Sequence, residues 1–160
     1  MHQDRERPPG RRGQPAFARR AVEDHARVVT TNIHAAAFYR QAQQSVDLPY
    51  AIRMLRLAVE ADPSFELAVA DLDALTGAPP RVLIGRQMNW ERHHIEVVRT
   101  AAAGNLSRAA DLLRELIGSV GCDPLAFRIV SQLRRRTGRG DELEDLAAQL
   151  PGCHPACPRR

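Results

Sequence analysis

The chain has 160 residues, of which 44% are hydrophobic but only 4% aromatic, and this composition suits one domain or a short array of helical repeats better than a β-rich fold. Lysine is absent, so all 23 basic residues are arginine, a bias that we attribute to a GC-rich bacterial genome. The first twenty residues contain no continuous apolar run, which argues against a signal peptide or a membrane span. We therefore expect an all-α, cytoplasmic protein with no membrane partner.

Residues 1–18 are predicted to form a disordered, arginine-rich arm. The first twenty residues hold six arginines against one aspartate and one glutamate, together with several prolines and glycines, and such a composition disfavours a packed core. An arm of this kind could neutralise phosphates on nucleic acid. Because no aromatic residues alternate with the arginines, we expect a solvated arm and keep nucleic-acid binding as an alternative.

Capping residues place the first two predicted helices. Asn32 can cap a helix that runs to about Gln44, and its side chain is of the type that accepts hydrogen bonds from the first helical N–H groups. Asp47, followed by Pro49, opens a second helix that runs to about Ala61, since proline is tolerated in the first helical turn.

Asp62, before Pro63, is predicted to cap a third helix that ends near Gly77. Residues 77–88 follow, and their two adjacent prolines break the helical pattern. We interpret this segment as a linker that divides a helical-repeat domain comprising residues 19–150. Its short apolar run is expected to be a packed connection and no more.

Three helices are predicted between residue 89 and the C-terminal region. Asn89 caps the first, which stops at Gly104; residues 109–118 form its partner; and Asp123, before Pro124, opens the third. The capping signals in this half therefore indicate the same alternation of helices and short turns.

The C-terminal region is predicted to hold one more helix and a flexible tail. Asp141 and Glu144 have the spacing of a capping box, which opens a helix through Leu150. Residues 151–160 then form the tail, because a proline and a glycine stop the helix.

Three cysteines are an odd number in a chain without a secretion signal, so we expect reduced thiols and no structural disulfide framework. They are Cys122, Cys153 and Cys157. The tail also places His154 between two of them, a set that zinc could use, but no second ligand pair lies nearby. We predict no metal and no cofactor.

Small and large apolar residues recur along the second predicted helix. Ala51 is followed by Leu55 at plus four, Ala58 at plus seven and Pro63 at plus twelve. This spacing puts three residues on one helical stripe and starts a new helix at the proline. The pattern resembles the second-helix signature of the tetratricopeptide repeat.

A later stretch resembles the same signature more loosely, through Gly104, Ala109, Leu113 and Leu116. The resemblance covers residues 32–150 and implies a short right-handed array of antiparallel helical hairpins, a tetratricopeptide-like solenoid. It also implies a scaffold or adaptor function, in which a protein or peptide binds in a groove between helices. Six residues would then face the groove: Tyr39, Arg40, Gln43, His93, Glu96 and Arg128.

The segment NWERHHIEVVR places two histidines beside two glutamates, so it could be a metal site, a catalytic pair or one face of a packed helix. At 100° per residue, one apolar stripe contains Trp90, His94, Val97, Val98 and Ala101. His94 is therefore expected to be a hydrogen-bonded core histidine or, if it faces the groove, a seventh partner-binding residue.

The alternative for this segment is a metal-dependent enzyme or accessory factor that uses His93 and His94. Adjacent helical residues diverge by about 100°, so the two rings do not converge on one ion, and the HExxH motif is absent. No nucleophile or phosphate-binding motif occurs either. We accordingly predict a binding protein with no catalytic residues.

Overall fold

The computed structural model describes residues 30, 32–85, 87, 89–120 and 123–138, with the side chain of Val120 excepted. Within these residues the fold is all-α, as predicted, with six helices and no strand. In chain order they are α1 (Ile33–Gln44), α2 (Leu48–Ala61), α3 (Glu66–Thr76), α4 (Asn89–Ala102), α5 (Leu106–Val120) and α6 (Pro124–Arg136). The predictions that lie outside the described residues are the arm 1–18, the helix 141–150, the tail 151–160, and Cys122, Cys153, His154 and Cys157.

Three of the predicted N-caps are confirmed. The Asn32 side chain accepts hydrogen bonds from the backbone N–H groups of His34 and Ala35, at 3.0 and 3.1 Å. Asp47 caps α2 and Asp123 caps α6 in the same way. Each cap satisfies donors that a helix leaves unpaired at its first turn, which explains why these boundaries could be predicted locally.

Helix α3 begins three residues later than predicted, because its N-cap is Phe65 and not Asp62. The Asp62 carboxylate accepts hydrogen bonds from the backbone N–H and the hydroxyl of Ser64, at 2.9 and 2.6 Å, and so closes a local turn before the helix begins. The N-cap is Phe65, which makes no side-chain cap bond. The end of α3 is as predicted, because Gly77 adopts a left-handed conformation with φ of 69°.

Helix α5 is longer than the predicted 109–118, since it begins at Leu106. Gly104 has φ of 86°, a conformation that favours glycine and ends the preceding segment. Asn89 is the first residue of α4 and accepts a hydrogen bond from the Arg92 guanidinium at 2.7 Å.

Helix α4 occupies the centre of the fold, where it packs against α3, α5 and α6. Helix α1 packs against α2, and α6 reaches back to contact α1. None of the described helices combines the length and the apolar character that a membrane span requires. The apolar positions on which the tetratricopeptide resemblance rests all lie in the core: Ala51, Leu55, Ala58, Ala109, Leu113 and Leu116.

Candidate functional site

His94 lies in the middle of the buried face of α4. The residues that share its stripe are Trp90, which is half-buried, and Val97, Val98 and Ala101, which are buried. The expectation that His94 is a core residue is therefore confirmed. An imidazole in this position needs polar partners, because an unpaired buried polar group is costly.

Two carboxylates supply those partners, one on each side of the ring. The His94 Nε2 atom lies 2.6 Å from an oxygen of Asp71 on α3, and the Nδ1 atom lies 2.5 Å from an oxygen of Asp123. Because Asp123 immediately precedes α6, the imidazole connects α4 to two neighbouring helices. All three side chains are almost completely shielded from solvent.

Tyr39 extends this arrangement to a fourth helix. Its hydroxyl donates a hydrogen bond of 2.8 Å to the second carboxylate oxygen of Asp71, and its ring packs against Phe65 with centroids 4.9 Å apart. Tyr39, Asp71, His94 and Asp123 therefore form one continuous chain of hydrogen bonds, which we call the four-residue network. It joins α1, α3, α4 and the start of α6.

The carboxylates determine the charge of the histidine. Burial alone would lower the pKa of His94, but the charges of Asp123 and Asp71, together with their hydrogen bonds, raise that pKa well above its usual value. Burial raises the pKa of Asp71, and the charge and hydrogen bonds of its neighbours oppose this rise only in part. Burial, followed by the charge of Asp71, raises the pKa of Tyr39, so the phenol is neutral.

This protonation state limits what the network can do chemically. When the ring is an imidazolium, both of its nitrogens donate N–H groups and neither has a lone pair for a metal ion. A general acid or base must also reach the group that it protonates, and His94 is closed to solvent. In the part of the chain that the structure describes, no set of histidine, cysteine and carboxylate side chains is arranged to hold a metal.

The seven candidate partner-binding residues separate into three groups. Tyr39 and His94 lie in the interior, where their hydrogen bonds are made within the network, so a groove-facing role for these two is corrected. Gln43 and Arg128 are half-buried, and Arg40, His93 and Glu96 are exposed.

The structure brings Gln43 and Arg128 together. The Arg128 guanidinium donates to the backbone carbonyls of Ala42 and Gln43, at 3.3 and 3.1 Å. These carbonyls lie at the C-terminal end of α1, where a positive charge is favourable. Arg128 thus connects α6 to α1 by a different route from the four-residue network.

Asp71 was not predicted as a site residue, although the sequence contains a signal for it. Asp71 lies on the apolar stripe of α3 that also contains Leu67, Ala74 and Leu75, all of them buried. A carboxylate in such a position requires a partner, just as a histidine on the apolar stripe of α4 does. Each of these two apolar faces contains one buried polar residue, and the two residues are the hydrogen-bond partners Asp71 and His94.

A second feature is the segment between α3 and α4, residues 78–85, which we call the connector. Asp73, near the end of α3, holds Arg81 through guanidinium bonds of 2.7 and 3.1 Å to one carboxylate oxygen and a backbone N–H bond of 3.2 Å to the other. The carbonyl of Arg81 also accepts a bond from the Arg99 guanidinium. One end of the connector is therefore fixed by both charge and main-chain contacts.

Glu66, in the first turn of α3, fixes the other end. Its carboxylate accepts hydrogen bonds from the Gly85 backbone N–H at 2.6 Å and from the Gln87 amide at 2.7 Å. Partial burial would raise the pKa of Glu66, but these hydrogen bonds lower it below its usual value. Both ends of the connector are thus attached to the same helix.

Between these attachments the connector exposes its apolar side chains. Val82 is 86% exposed and Ile84 is 93% exposed, the highest values among the large hydrophobic residues that the structure describes, whereas Leu83 is half-buried against the core. The expectation of a packed connection is corrected for Val82 and Ile84, because Leu83 is the one of these three apolar side chains that packs against the core.

Comparison of the chain with protein-family models, with curated proteins and with solved structures finds no match.

Proposed function

We propose that this chain is a protein-binding scaffold or adaptor, in which the connector is the principal docking element. The observation that carries the proposal is the pair of exposed residues Val82 and Ile84, held between two attached ends. Single exposed apolar residues are ordinary on protein surfaces, but two on a fixed segment form a preorganised apolar contact. Such a contact loses little conformational entropy when a partner covers it.

The interior supports recognition in preference to chemistry. The four-residue network has the residue types of an acid–base relay. Because it is buried, no substrate can reach it, and its hydrogen bonds connect helices instead. A metal-dependent enzyme built on His93 and His94 gains no support from this geometry, because both nitrogens of His94 already have carboxylate partners and His93 is exposed on another side of α4. The alternative of nucleic-acid binding depends on residues 1–18, which lie outside the described residues.

A tetratricopeptide-like, right-handed array of helical hairpins is our proposal for the arrangement of the helices. Three-residue connections, 45–47 and 103–105, join pairs of helices that pack against each other, which is typical of antiparallel neighbours. Small buried residues such as Ala51 and Ala58 allow the close approach that these repeats use. The contact between α6 and α1 then requires the array to be strongly curved.

In such a scaffold the exposed polar candidates orient the partner. Arg40, His93 and Glu96 supply hydrogen bonds and charge, while Val82 and Ile84 supply the apolar centre of the contact. Truncation of a central apolar residue usually weakens binding more than removal of a peripheral charge. The connector is therefore the place to test the proposal first.

The test is affinity capture from the native host with three forms of the full chain: wild type, Ile84→Lys and Val46→Lys. Val46 is a matched control, because it is 79% exposed in the turn between α1 and α2. We expect wild type and Val46→Lys to retain the same partner and Ile84→Lys to lose it, with all three giving the same melting temperature. Equal retention by all three forms would remove the connector from the proposal.

A further inference from the structure

We infer that the surface beneath the connector is a peptide-binding site, which the connector occupies as an intramolecular ligand and which a separate peptide of the type Arg-x-Leu-x-Gly can enter in its place. This surface consists of Glu66 and Asp73 on α3 and Arg99 on α4, and we call it the connector seat. It is separate from the docking element of the proposed function, which is the exposed pair Val82 and Ile84.

The connector seat holds the main chain of the connector at three points. Glu66 accepts the backbone N–H of Gly85 at 2.6 Å, and Asp73 accepts that of Arg81 at 3.2 Å. The carbonyl of Arg81 accepts a hydrogen bond from the Arg99 guanidinium. In peptide recognition, main-chain bonds supply affinity for any segment that follows the same path, whereas side-chain contacts select its sequence. A separate peptide can therefore make the same three bonds.

Three positions of the occupant give the connector seat its specificity. The almost fully buried carboxylate of Asp73 binds the forked guanidinium of Arg81 at 2.7 and 3.1 Å, a geometry that selects arginine over lysine. Leu83, two residues later, packs against the core. Gly85 fits closely, because a Cβ there would lie 3.1 Å from the Glu66 carboxylate and would push it aside. The matching ligand is thus an arginine, a leucine two residues on, and a glycine two residues after that.

The connector is an imperfect occupant of this seat. The Nε atom of Arg99 is buried and has no hydrogen-bond partner among the described residues, which costs free energy. The Arg81 side chain is 48% exposed, so water screens its ion pair with Asp73. Within the connector only Leu83 packs on the core. A peptide with the same three side chains can match this contact, and one that also pairs the Arg99 Nε can exceed it.

Covalent attachment is the advantage that the connector has over a separate peptide. A segment joined by a short linker acts at an effective concentration on the order of 1 mM, so a free peptide of equal affinity displaces little of it. A substitution in the connector that weakens its own hold removes this advantage and leaves the seat intact. Such variants of the full chain are therefore the ones in which peptide binding becomes measurable.

The probe is a fluorescent peptide with blocked ends and the sequence of residues 79–86, PPRVLIGR, and fluorescence anisotropy follows its binding to the full chain. We expect Arg81→Ala to bind this peptide at least about tenfold more tightly than the wild type, because the internal arginine no longer occupies Asp73. Gly85→Ala should change the affinity in the same direction, since the added methyl group crowds Glu66. A peptide with lysine in place of its first arginine should bind Arg81→Ala at least about tenfold more weakly.

The matched control is the double variant Asp73→Asn/Arg81→Ala. It lacks the same ion pair as Arg81→Ala, so the two proteins should have similar melting temperatures, but it also lacks the carboxylate that the arginine of the peptide needs. We expect its affinity for the peptide to return to the wild-type level or below. Circular dichroism of every variant checks that the helices are retained.

Two outcomes would overturn the inference. In the first, neither Arg81→Ala nor Gly85→Ala binds the peptide more tightly than the wild type. In the second, the double variant binds it as tightly as Arg81→Ala, so that Asp73 is not the site of the arginine. Neither outcome affects the proposed function, whose test compares Ile84→Lys with Val46→Lys in affinity capture.

Discussion

Asp123 uses its two carboxylate oxygens for different helices: one lies 2.5 Å from Nδ1 of His94 on α4, and the other accepts the backbone N–H of Ala126 on α6 at 3.0 Å. A single side chain therefore starts α6 and fixes it against the central helix. The two functions can be separated by mutation, since asparagine caps a helix about as well as aspartate but brings no charge.

We expect Asp123→Asn to lower the free energy of unfolding by about 2 to 4 kcal/mol, because His94 loses one of the two charges that balance it. Asp123→Ala should cost a further 0.5 to 2 kcal/mol or so, the usual value of an N-cap. Urea unfolding of the three proteins measures both differences. Variants as stable as the wild type would show that Asp123 does not balance a buried imidazolium.

The raised pKa of His94 predicts a loss of stability in alkaline solution. Because the folded protein holds this proton more tightly than the unfolded chain, the contribution of His94 is complete below about pH 6.5, its unfolded pKa, and is lost as the pH rises through the raised value. The raised pKa of Asp71 has the same sign, but its effect begins in acid solution, above the ordinary carboxyl pKa of about 3.9. We therefore expect the free energy of unfolding to decrease from neutral to alkaline pH.

Urea unfolding at a series of pH values checks this, with Asp123→Asn as the comparison. Removal of one carboxylate should move the decrease in stability to lower pH, because a single charge stabilises the imidazolium less. A wild-type stability that is constant from neutral to alkaline pH would mean that His94 is already neutral in the folded protein.

The hydroxyl of Tyr39 is expected to matter to stability. Tyr39→Phe leaves a buried oxygen of Asp71 without its donor, and such a loss costs about 1 to 3 kcal/mol. The matched control is Tyr50→Phe, since the Tyr50 hydroxyl donates a similar bond of 2.9 Å to Gln41 in an exposed position. The control should change the unfolding free energy by less than about 0.5 kcal/mol. Equal effects of the two substitutions would contradict a special role for the buried bond.

The two adjacent histidines should respond very differently to the same substitution. His94→Asp places a third carboxylate between Asp71 and Asp123 in the interior, and we expect a loss of several kcal/mol or an insoluble protein. His93→Asp, on the exposed side of α4, should cost less than about 1 kcal/mol. Thermal melts of both variants decide the question, and equal tolerance would argue that neither ring is buried.

The features that could be predicted from the sequence are those that depend on residues close together along the chain. Asn32, Asp47 and Asp123 cap their helices through atoms two or three residues away, and the burial of His94 follows from the spacing of apolar residues on α4. The start of α3 was predicted wrongly because the Asp62 carboxylate binds the backbone N–H and hydroxyl of Ser64 in a local turn. It therefore does not cap a helix that begins at Pro63.

The partners of His94 depend instead on how helices meet. Asp71 is 23 residues from His94 in sequence and Asp123 is 29 residues away, and no local rule connects them. The exposure of Val82 and Ile84 was missed for a similar reason. An apolar run normally packs, but the attachments made by Glu66, Asp73 and Arg99 hold the segment so that these two side chains lie in solvent.

Those attachments also restrict how the length of the chain can vary. Surface connections usually accept inserted residues, and the stretch between Gly77 and Arg81 should do so, because Asp73 can still hold the arginine. Between Arg81 and Gly85 the helical rise of α3 sets the separation, and one residue more or fewer would detach a carboxylate or reverse which side chains face outward. Homologous chains should therefore vary in length before Arg81 and keep its distance from Gly85 constant.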